Sequence, residues 1–346
     1  ALVIIHKDYP NKVWITRNGS PILLGMSDEY VMIASEHTAF DRYIKTYITL
    51  DNHDLVEISK DNQTINYSID LHSYKINHRM QSSVSIFPEG YKHWMIKEIH
   101  EQPSAITHAM NNQGPTLNSS MAKLGGLDYQ NDTPVGLEHL IILGCGTSYN
   151  AGMWSLGIFK SLKSFNTVSV IDGAEFNASD IPLSGKTGIV LVSQSGETSD
   201  LYRCIQIATE LNLITIGVIN VVDSLISRES DCGVYLNAGR EVAVASTKSF
   251  TNQCVILTMI AVWFSQIGGG NEEKRRKIIS DLHKFQFQFA NMLNSHNDQI
   301  MDIANVLVSP QTISTIFVLG KGSLHAIAME GALKLKEVTY IHAEGY

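Results

Sequence analysis

The chain has 346 residues, enough for about two or three domains of ordinary size. Hydrophobic residues make up 44% and charged residues 17%, against about 25% charged residues in typical globular proteins, so the composition favours burial over disorder. The formal net charge of −8 gives no electrostatic reason to expect nucleic acid or an anionic membrane as a partner.

The cysteines and the longest apolar run narrow the class of protein further. The four cysteines are too far apart for a CxxC pair or a zinc spacing, and no HExxH motif is present, so we expect no metal site and a reducing, cytoplasmic compartment. Residues 254–264 reach about half of the ~20 residues that a membrane span needs, which predicts a buried helix. The chain opens on an apolar run without an initiator methionine, and we interpret it as a fragment.

The first part of the chain is predicted to be rich in β-strands. Short β-prone runs, separated by Gly, Asn and Asp turn residues, lie at residues 2–5, 12–16, 21–24, 30–34 and 43–50. Two more polar strands are predicted within residues 64–85. A helix is expected at residues 91–111, and the Gly-, Asn-, Pro- and Ser-rich residues 112–135 predict a linker.

From residue 139 onwards the pattern changes to strands that alternate with helices. Strands are predicted at residues 139–144, 169–172, 187–193, 213–220 and 233–236, and helices at residues 148–162, 198–211 and 247–266. This alternation predicts a parallel sheet covered on both faces, and right-handed crossovers restrict the topology to a doubly wound sheet.

After a run of three glycines at residues 268–270, the pattern starts again. A charged helix is predicted at residues 271–295, then a strand at residues 315–319, a turn and a helix at residues 324–340. The chain stops after this one strand and one helix. We therefore expect an incomplete second α/β unit, which cannot close a core by itself.

Two turns that follow predicted strands are dense in hydrogen-bond donors. In the first, Gly146 would let the backbone approach a ligand, and Thr147 and Ser148 add hydroxyls at a helix N-terminus, which favours a phosphate. A tight turn with a serine cap is the alternative, and on this segment alone it stays open.

The second turn, residues 193–198, places three hydroxyls and an amide around one glycine. These donors are Ser193, Gln194, Ser195 and Thr198. A capping box, worth ~1 kcal/mol, would need one hydroxyl, so the density favours a ligand with several oxygens, such as a phosphomonoester. Both turns follow strands of one predicted sheet, at the edge where doubly wound folds bind ligands.

Two further segments could line the same site. Val244 and Ser246 precede the predicted helix at residues 247–266, and the alternative there is an N-cap made by Ser246 or Thr247.

On the last predicted helix, Glu330, Lys334 and Glu337 lie on one stripe at i, i+4 and i+7. A carboxylate base and a cation in this arrangement could move a proton between adjacent carbons of a sugar. The alternative is a surface ion pair worth about 0.3–0.5 kcal/mol.

Together these segments resemble a known family. CGTSY at residues 145–149, residues 193–198, residues 244–248 and EGALKLKE at residues 330–337, with IHAE at residues 341–344, are similar to the sugar-isomerase (SIS) half of the glutamine–fructose-6-phosphate aminotransferases (isomerising). KEIHEQP at residues 97–103 resembles the helix that joins the two halves of that family. TRNGSPILLG at residues 16–25 and IASEHTAF at residues 33–40 resemble the end of its class II glutaminase domain.

The resemblance implies a domain organisation and a reaction. Residues 1–75 would be the C-terminal part of a class II glutamine amidotransferase domain, residues 76–134 an interdomain helix and linker, residues 135–268 the first SIS domain, and residues 269–346 a connecting helix and the truncated start of a second SIS domain. The family transfers ammonia from glutamine to fructose 6-phosphate and isomerises the product to glucosamine 6-phosphate, for UDP-N-acetylglucosamine synthesis. It needs no cofactor such as pyridoxal phosphate, and it forms homo-oligomers.

The resemblance also implies roles for individual residues. Glu337 would shuttle the proton between C1 and C2, with help from Lys334. The phosphate and sugar would be held by Gly146, Thr147, Ser148, Ser193, Gln194, Ser195 and Thr198, with Val244 and Ser246 lining the pocket.

Some parts of the family pattern are missing, and two other functions stay open as alternatives. The cysteine nucleophile would precede Ala1, and the ring-opening histidine and a substrate-facing lysine would follow Tyr346, so we expect the chain to be inactive alone. A non-catalytic sugar-phosphate-binding SIS module is the alternative, and it would need neither Lys334 nor Glu337. A dinucleotide-binding dehydrogenase fits less well, because Tyr149 stands at the third glycine position of GxGxxG.

Overall fold

The structure is a computed structural model that describes residues 1–19, 21–27, 29–35, 37–40, 43–62, 64–78, 87–111, 116–128, 134–308 and 314–346. The chain forms two compact units, Ala1–Ile86 and Phe87–Tyr346. Parts of the predicted polar strands and of the predicted linker lie outside the described residues.

The first unit is built from eight described strands in two antiparallel sheets. The strands are β1 (Leu2–Ile5), β2 (Lys12–Thr16), β3 (Leu23–Met26), β4 (Val31–Ala34), β5 (Thr46–Thr49), β6 (Leu55–Asp61), β7 (Thr64–Tyr67) and β8 (Asn77–His78). The sheet orders are β1-β2-β6-β7 and β4-β3-β5-β8. Ile15 and Val56 of one sheet share a core with Leu24 and Ile48 of the other. The β-rich character is thus confirmed, although β6 was not predicted.

The second unit alternates strands with helices, as predicted. The described helices are α1 (Trp94–Asn111), α2 (Gly125–Asp128), α3 (Thr147–Leu162), α4 (Ser199–Glu210), α5 (Leu225–Glu229), α6 (Lys248–Ile267), α7 (Glu272–Ser295), α8 (Asn297–Val308) and α9 (Ser323–Thr339). The described strands are β9 (Thr116–Leu117), β10 (Ala122–Lys123), β11 (His139–Gly144), β12 (Thr167–Asp172), β13 (Thr187–Ser193), β14 (Ile214–Ile219), β15 (Cys232–Tyr235), β16 (Thr315–Val318) and β17 (His342–Gly345).

A five-stranded parallel sheet forms the centre of this unit. Its order is β12-β11-β13-β14-β15, which confirms the predicted doubly wound α/β fold. Because successive side chains of a strand point to opposite faces, Leu140 and Ile142 pack into the core that contains α6, while Ile141 and Leu143 pack into the core that contains α4. Both faces are covered, as the apolar strands require.

Helix α6 crosses the larger core. By length and composition it could span a membrane, with a mean hydropathy of 1.3, but 83% of the apolar window is buried inside the fold. This is the behaviour of a core helix, and the prediction of a buried helix at residues 254–264 is confirmed.

Two segments contain more structure than the sequence predicted. Within the segment predicted as a linker, β9 and β10 form an antiparallel hairpin, and Leu117, Leu124 and Leu127 lie in the core. Towards the end of the chain, β16 and β17 pair in parallel, and α9 packs against α3. Helix α8 and strand β17 were not predicted.

Candidate functional site

The two donor-rich turns leave the same edge of the parallel sheet. Strands β11 and β13 are adjacent and parallel, with Leu143 opposite Leu191, so the turns that follow them lie side by side. The chain places β12 on one side of β11 and β13 on the other. This edge is therefore the switch point at which doubly wound sheets bind ligands.

The first turn ends in a glycine that starts α3. Gly146 is the N-cap residue and has a φ of 54°, a conformation that strains residues with a side chain. The serine-cap alternative is wrong here, because the cap residue has no hydroxyl. Burial, with the nearby Asp172 carboxylate, raises the pKa of Cys145 to about 11, which disfavours the nucleophilic thiolate form at neutral pH.

The second turn is closed by its own hydroxyls. Ser193 Oγ and Thr198 Oγ1 are 3.1 Å apart, and the Gly196 N–H donates to Ser193 Oγ at 2.9 Å. Thr198 is the N-cap of α4, yet its side chain makes no capping hydrogen bond. The capping-box alternative is therefore wrong, and the Thr198 hydroxyl is not engaged by its own helix. Gln194 and Ser195 are half-buried beside it.

Ser148 is turned towards the core helix. It is 8% exposed, and its Oγ accepts a hydrogen bond from Gln253 Nε2 of α6 at 2.9 Å. A hydroxyl that accepts from an amide still has its own proton to donate. Gln253 thus lies behind the first turn, a position that the sequence did not indicate.

Glu330 connects α9 to the first turn. The Thr147 hydroxyl donates to Glu330 Oε1 at 3.0 Å, and Asn150 Nδ2 donates to Glu330 Oε2 at 2.9 Å. Since the Glu330 side chain is only 7% exposed, the alternative of a surface ion pair is wrong. Both carboxylate oxygens are occupied, so Glu330 fixes α9 against α3.

Lys334 and Glu337 continue this contact along the same helix face. Lys334 Nζ lies 2.6 Å from Glu337 Oε2 and 3.4 Å from Glu330 Oε1, and it donates to Thr147 Oγ1 at 3.1 Å. The Glu337 side chain is 35% exposed, so its carboxylate is accessible from solvent. A base beside an ammonium group is an arrangement suited to proton transfer.

The loop at residues 241–247 carries the remaining predicted residues. Val244 is 99% exposed, and the Ser246 hydroxyl donates to Glu241 Oε2 at 2.9 Å. Glu241 Oε1 also accepts the backbone N–H groups of Thr247 and Ser249. Thr247 is the N-cap of α6 but makes no side-chain capping bond, so the predicted alternative of a Ser246 or Thr247 cap is wrong and Glu241 caps this helix.

A second carboxylate, Glu98 of α1, holds the start of this loop. It is 1% exposed and accepts the N–H groups of Val242 at 2.6 Å and Ala243 at 3.2 Å. Sequence reasoning missed Glu98 and Glu241, as well as Asn150. Asn150 left a positional signal, because it lies three residues after Thr147 and therefore one helical turn further along α3. Glu98 lies within the KEIHEQP segment at residues 97–103, but the sequence assigned it no role.

Glu98 should make the protein less stable as pH rises. Burial raises its pKa above the ordinary 4.5 and outweighs the opposing effect of the two N–H groups, while nearby Glu241 raises it further and Lys248 lowers it. The stabilisation from the extra bound proton is complete below pH 4.5 and is lost as pH rises through the folded-state pKa. In urea titrations between about pH 4.5 and pH 7, the free energy of unfolding of Glu98→Gln should fall less than that of the unsubstituted chain. If the free energies of unfolding of the two proteins fell equally over this pH range, a raised pKa of Glu98 would be contradicted.

Comparison with known proteins gives a consistent result. Residues 137–263 match the family model described as the SIS domain. The chain is 38% identical, over 100% of its length, to the "Probable glutamine--fructose-6-phosphate aminotransferase [isomerizing]" of Acanthamoeba polyphaga mimivirus. It is 32% identical, over 99% of its length, to the glutamine–fructose-6-phosphate aminotransferase [isomerizing] of Fusobacterium nucleatum. The chain spans 56% of the length of each of these relatives.

Solved structures agree with these relatives. The C-terminal domain of glucosamine-fructose-6-phosphate aminotransferase from Francisella tularensis superposes with a TM-score of 0.67 at 31% identity, covering 76% of this chain and 71% of that one. Tagatose-6-phosphate ketose/aldose isomerase from Escherichia coli shares the fold, with a TM-score of 0.54 at 17% identity, covering 73% of this chain and 66% of that one. The SIS domain, the relatives and the Francisella structure together show that this chain belongs to the family of the isomerising glutamine–fructose-6-phosphate aminotransferases.

Proposed function

We propose that this chain is the sugar-phosphate-binding and proton-transfer part of a glutamine–fructose-6-phosphate aminotransferase. One observation carries the proposal. Through Thr147, the donor-rich edge of the parallel sheet is joined to the Glu330–Lys334–Glu337 face of α9. The groups proposed to bind phosphate and the proposed acid–base pair are thus connected through one side chain.

In this proposal the turns bind the ligand and α9 carries out the proton transfer. Backbone and side-chain donors of the two turns bind the phosphate and sugar, through Gly146, Thr147, Ser148, Ser193, Gln194, Ser195 and Thr198. Val244 and Ser246 line the hexose. The Glu337 carboxylate takes a proton from C1 of the aminated sugar and returns it at C2, while the Lys334 ammonium stabilises the negative charge that develops between these steps.

The remaining elements of the reaction belong to the whole protein. Glutamine supplies the nitrogen, and glucosamine 6-phosphate is the product, for the synthesis of UDP-N-acetylglucosamine. Residues 1–75 form part of a class II glutamine amidotransferase domain, residues 76–134 the interdomain helix and linker, residues 135–268 the first SIS domain, and residues 269–346 the connecting helix and the start of a second SIS domain. The protein forms a homo-oligomer, and its four free cysteines fit a cytoplasmic setting.

Ligand-induced stabilisation tests the binding part of the proposal. Fructose 6-phosphate or glucosamine 6-phosphate should raise the melting temperature of the chain, since a ligand at 100 times its Kd adds about 2.7 kcal/mol to the free energy of unfolding. Thr198→Ala should abolish this shift, because its hydroxyl contacts Ser193 Oγ across the second turn and is not used to cap its own helix.

A matched substitution on the same helix provides the control. Thr209 of α4 donates only to the Ile205 carbonyl at 2.9 Å among the contacts described for it, so Thr209→Ala should keep the full shift. No shift with either sugar phosphate in the unsubstituted chain would refute the proposed function, and a full shift in Thr198→Ala would remove the second turn from the site.

A further inference from the structure

Helix α1 contacts the start of α6 through a row of polar side chains. Glu101 accepts a hydrogen bond from Lys248 Nζ at 2.7 Å, and Gln102 Oε1 accepts one from Thr251 Oγ1 at 2.6 Å. Glu98 lies on the same face of α1, one turn earlier. Its partners, however, are backbone groups of the loop that precedes α6 rather than side chains of the helix itself.

The two carboxylates hold this loop at both ends. Glu98 binds the N–H groups of Val242 and Ala243, and Glu241 binds those of Thr247 and Ser249. Between these anchored ends the fully exposed Val244 side chain projects from the loop. The backbone at Val242, two residues before Val244, is thus held by a side chain that lies 144 residues earlier in the chain.

We propose that Glu98 is a positioning residue of the sugar site: its carboxylate fixes the backbone of residues 242 and 243, and thereby places Val244 and Ser246 against the hexose. This role rests on the proposed function and adds a residue outside the SIS domain match. Glu98 does not touch the ligand. It acts on the hexose through the loop and leaves the phosphate contacts at residues 193–198 unaffected.

The energetics of Glu98 support this role. Burial raises its pKa more than the two N–H groups lower it, Glu241 adds a repulsive charge, and Lys248, itself paired with Glu101, adds an attractive one. Because its folded-state pKa is raised, the ionised carboxylate is the less favourable form at this buried position, yet it is the form that accepts from both N–H groups. Glu98 Oε1 accepts from both N–H groups, at 2.6 and 3.2 Å, and Oε2 also accepts from Ala243 at 3.3 Å; a glutamine side chain would put its own NH2 group in place of one of these oxygens.

Calorimetry with two probes tests the proposal. Glu98→Ala should weaken the binding of fructose 6-phosphate about tenfold, which corresponds to about 1.4 kcal/mol, and should leave the affinity for inorganic phosphate unchanged. Glu98→Gln, which keeps one acceptor oxygen, should restore part of the affinity. Amide hydrogen exchange at Val242 and Ala243 should be faster in Glu98→Ala, because both N–H groups lose their acceptor.

Glu101→Gln is the matched control on the same helix face. It changes the contact with Lys248 but not the loop, so the ratio of fructose 6-phosphate affinity to phosphate affinity should stay at the unsubstituted value. The proposal is overturned if Glu98→Ala weakens both ligands equally, if Glu101→Gln changes the ratio as much as Glu98→Ala, or if exchange accelerates without any loss of hexose affinity. Failure of the unsubstituted chain to bind fructose 6-phosphate would instead refute the proposed function.

Discussion

Replacing Glu337 with glutamine should lower the rate of proton exchange at C1 of fructose 6-phosphate by about 10²–10⁴-fold, the usual contribution of a positioned general base. Its carboxylate lies 2.6 Å from Lys334 Nζ and is 35% exposed, so it is both paired with a cation and open to a ligand. Glutamine has nearly the same shape but cannot accept the proton. Hexose phosphate affinity should therefore change by no more than about threefold, since only the reacting state loses an interaction.

NMR detection of deuterium at C1 in heavy water measures this rate directly. The matched control is Glu272→Gln, because Glu272 also forms an ion pair of 2.6 Å, with Arg276, but on an exposed part of α7. This control should exchange at the unsubstituted rate. If the unsubstituted chain binds the sugar phosphate but exchanges no proton, it acts on its own as a non-catalytic sugar-phosphate module. Equal exchange rates in the unsubstituted chain and in Glu337→Gln would refute the catalytic role of Glu337.

Gly196→Ala should abolish hexose phosphate binding and lower the free energy of unfolding by roughly 2–4 kcal/mol. Gly196 has a φ of 68°, and an added Cβ would lie 2.0 Å from Ser224 Oγ and 2.8 Å from Ile219 Cγ2. The Gly196 N–H also holds Ser193 Oγ in place. Alanine would therefore displace the second turn from α5 and strain its backbone, and we expect hexose phosphate affinity to fall by at least about 100-fold.

Two other glycine positions calibrate this result. Gly157 of α3 has open space around an added Cβ and no positive φ, so Gly157→Ala should keep full binding and raise stability by about 0.5–1 kcal/mol. Gly146 also has open space but a φ of 54°, so its alanine variant should lose only the cost of backbone strain, about 1–2 kcal/mol. The free energies of unfolding of the three alanine variants, measured in urea, should therefore fall in the order Gly157, Gly146, Gly196, with Gly196→Ala the least stable. Equal losses at all three positions would show that crowding at Gly196 is not the cause.

Much of the fold could be predicted because its strands are buried on both faces. The uninterrupted apolar run that forms β13 predicts a central parallel strand, and the structure gives the same limits, Thr187–Ser193. Strand β6 was missed although Val56 and Ile58 alternate with polar residues, because this alternation is short and lies among turn-forming residues. Strand β17 contains no β-branched residue and is a strand only through its pairing with β16.

The candidate site could be predicted where a local motif coincided with strand topology. Residues 144–148 and 193–198 were identifiable because each follows an apolar strand, and parallel strands end at one edge. The burial of Glu330 could not be predicted, since Glu and Lys at i and i+4 look the same on a surface and in an interface. Glu98 was equally hidden, because its partners are backbone groups far along the chain.

The anchoring of Glu330 by α3 has a consequence for the tolerance of α9 to insertions. From this fixed point a helix rises about 1.5 Å and turns about 100° per residue, so Glu337 lies roughly 10 Å further along on nearly the same side. One extra residue between positions 334 and 337 would rotate the Glu337 carboxylate by about a quarter of a turn and separate it from Lys334. The helix would still form, yet the Glu337 carboxylate would point elsewhere. Insertions and deletions between residues 334 and 337 should therefore disrupt the Lys334–Glu337 pair, even at positions where a substitution would leave it in place.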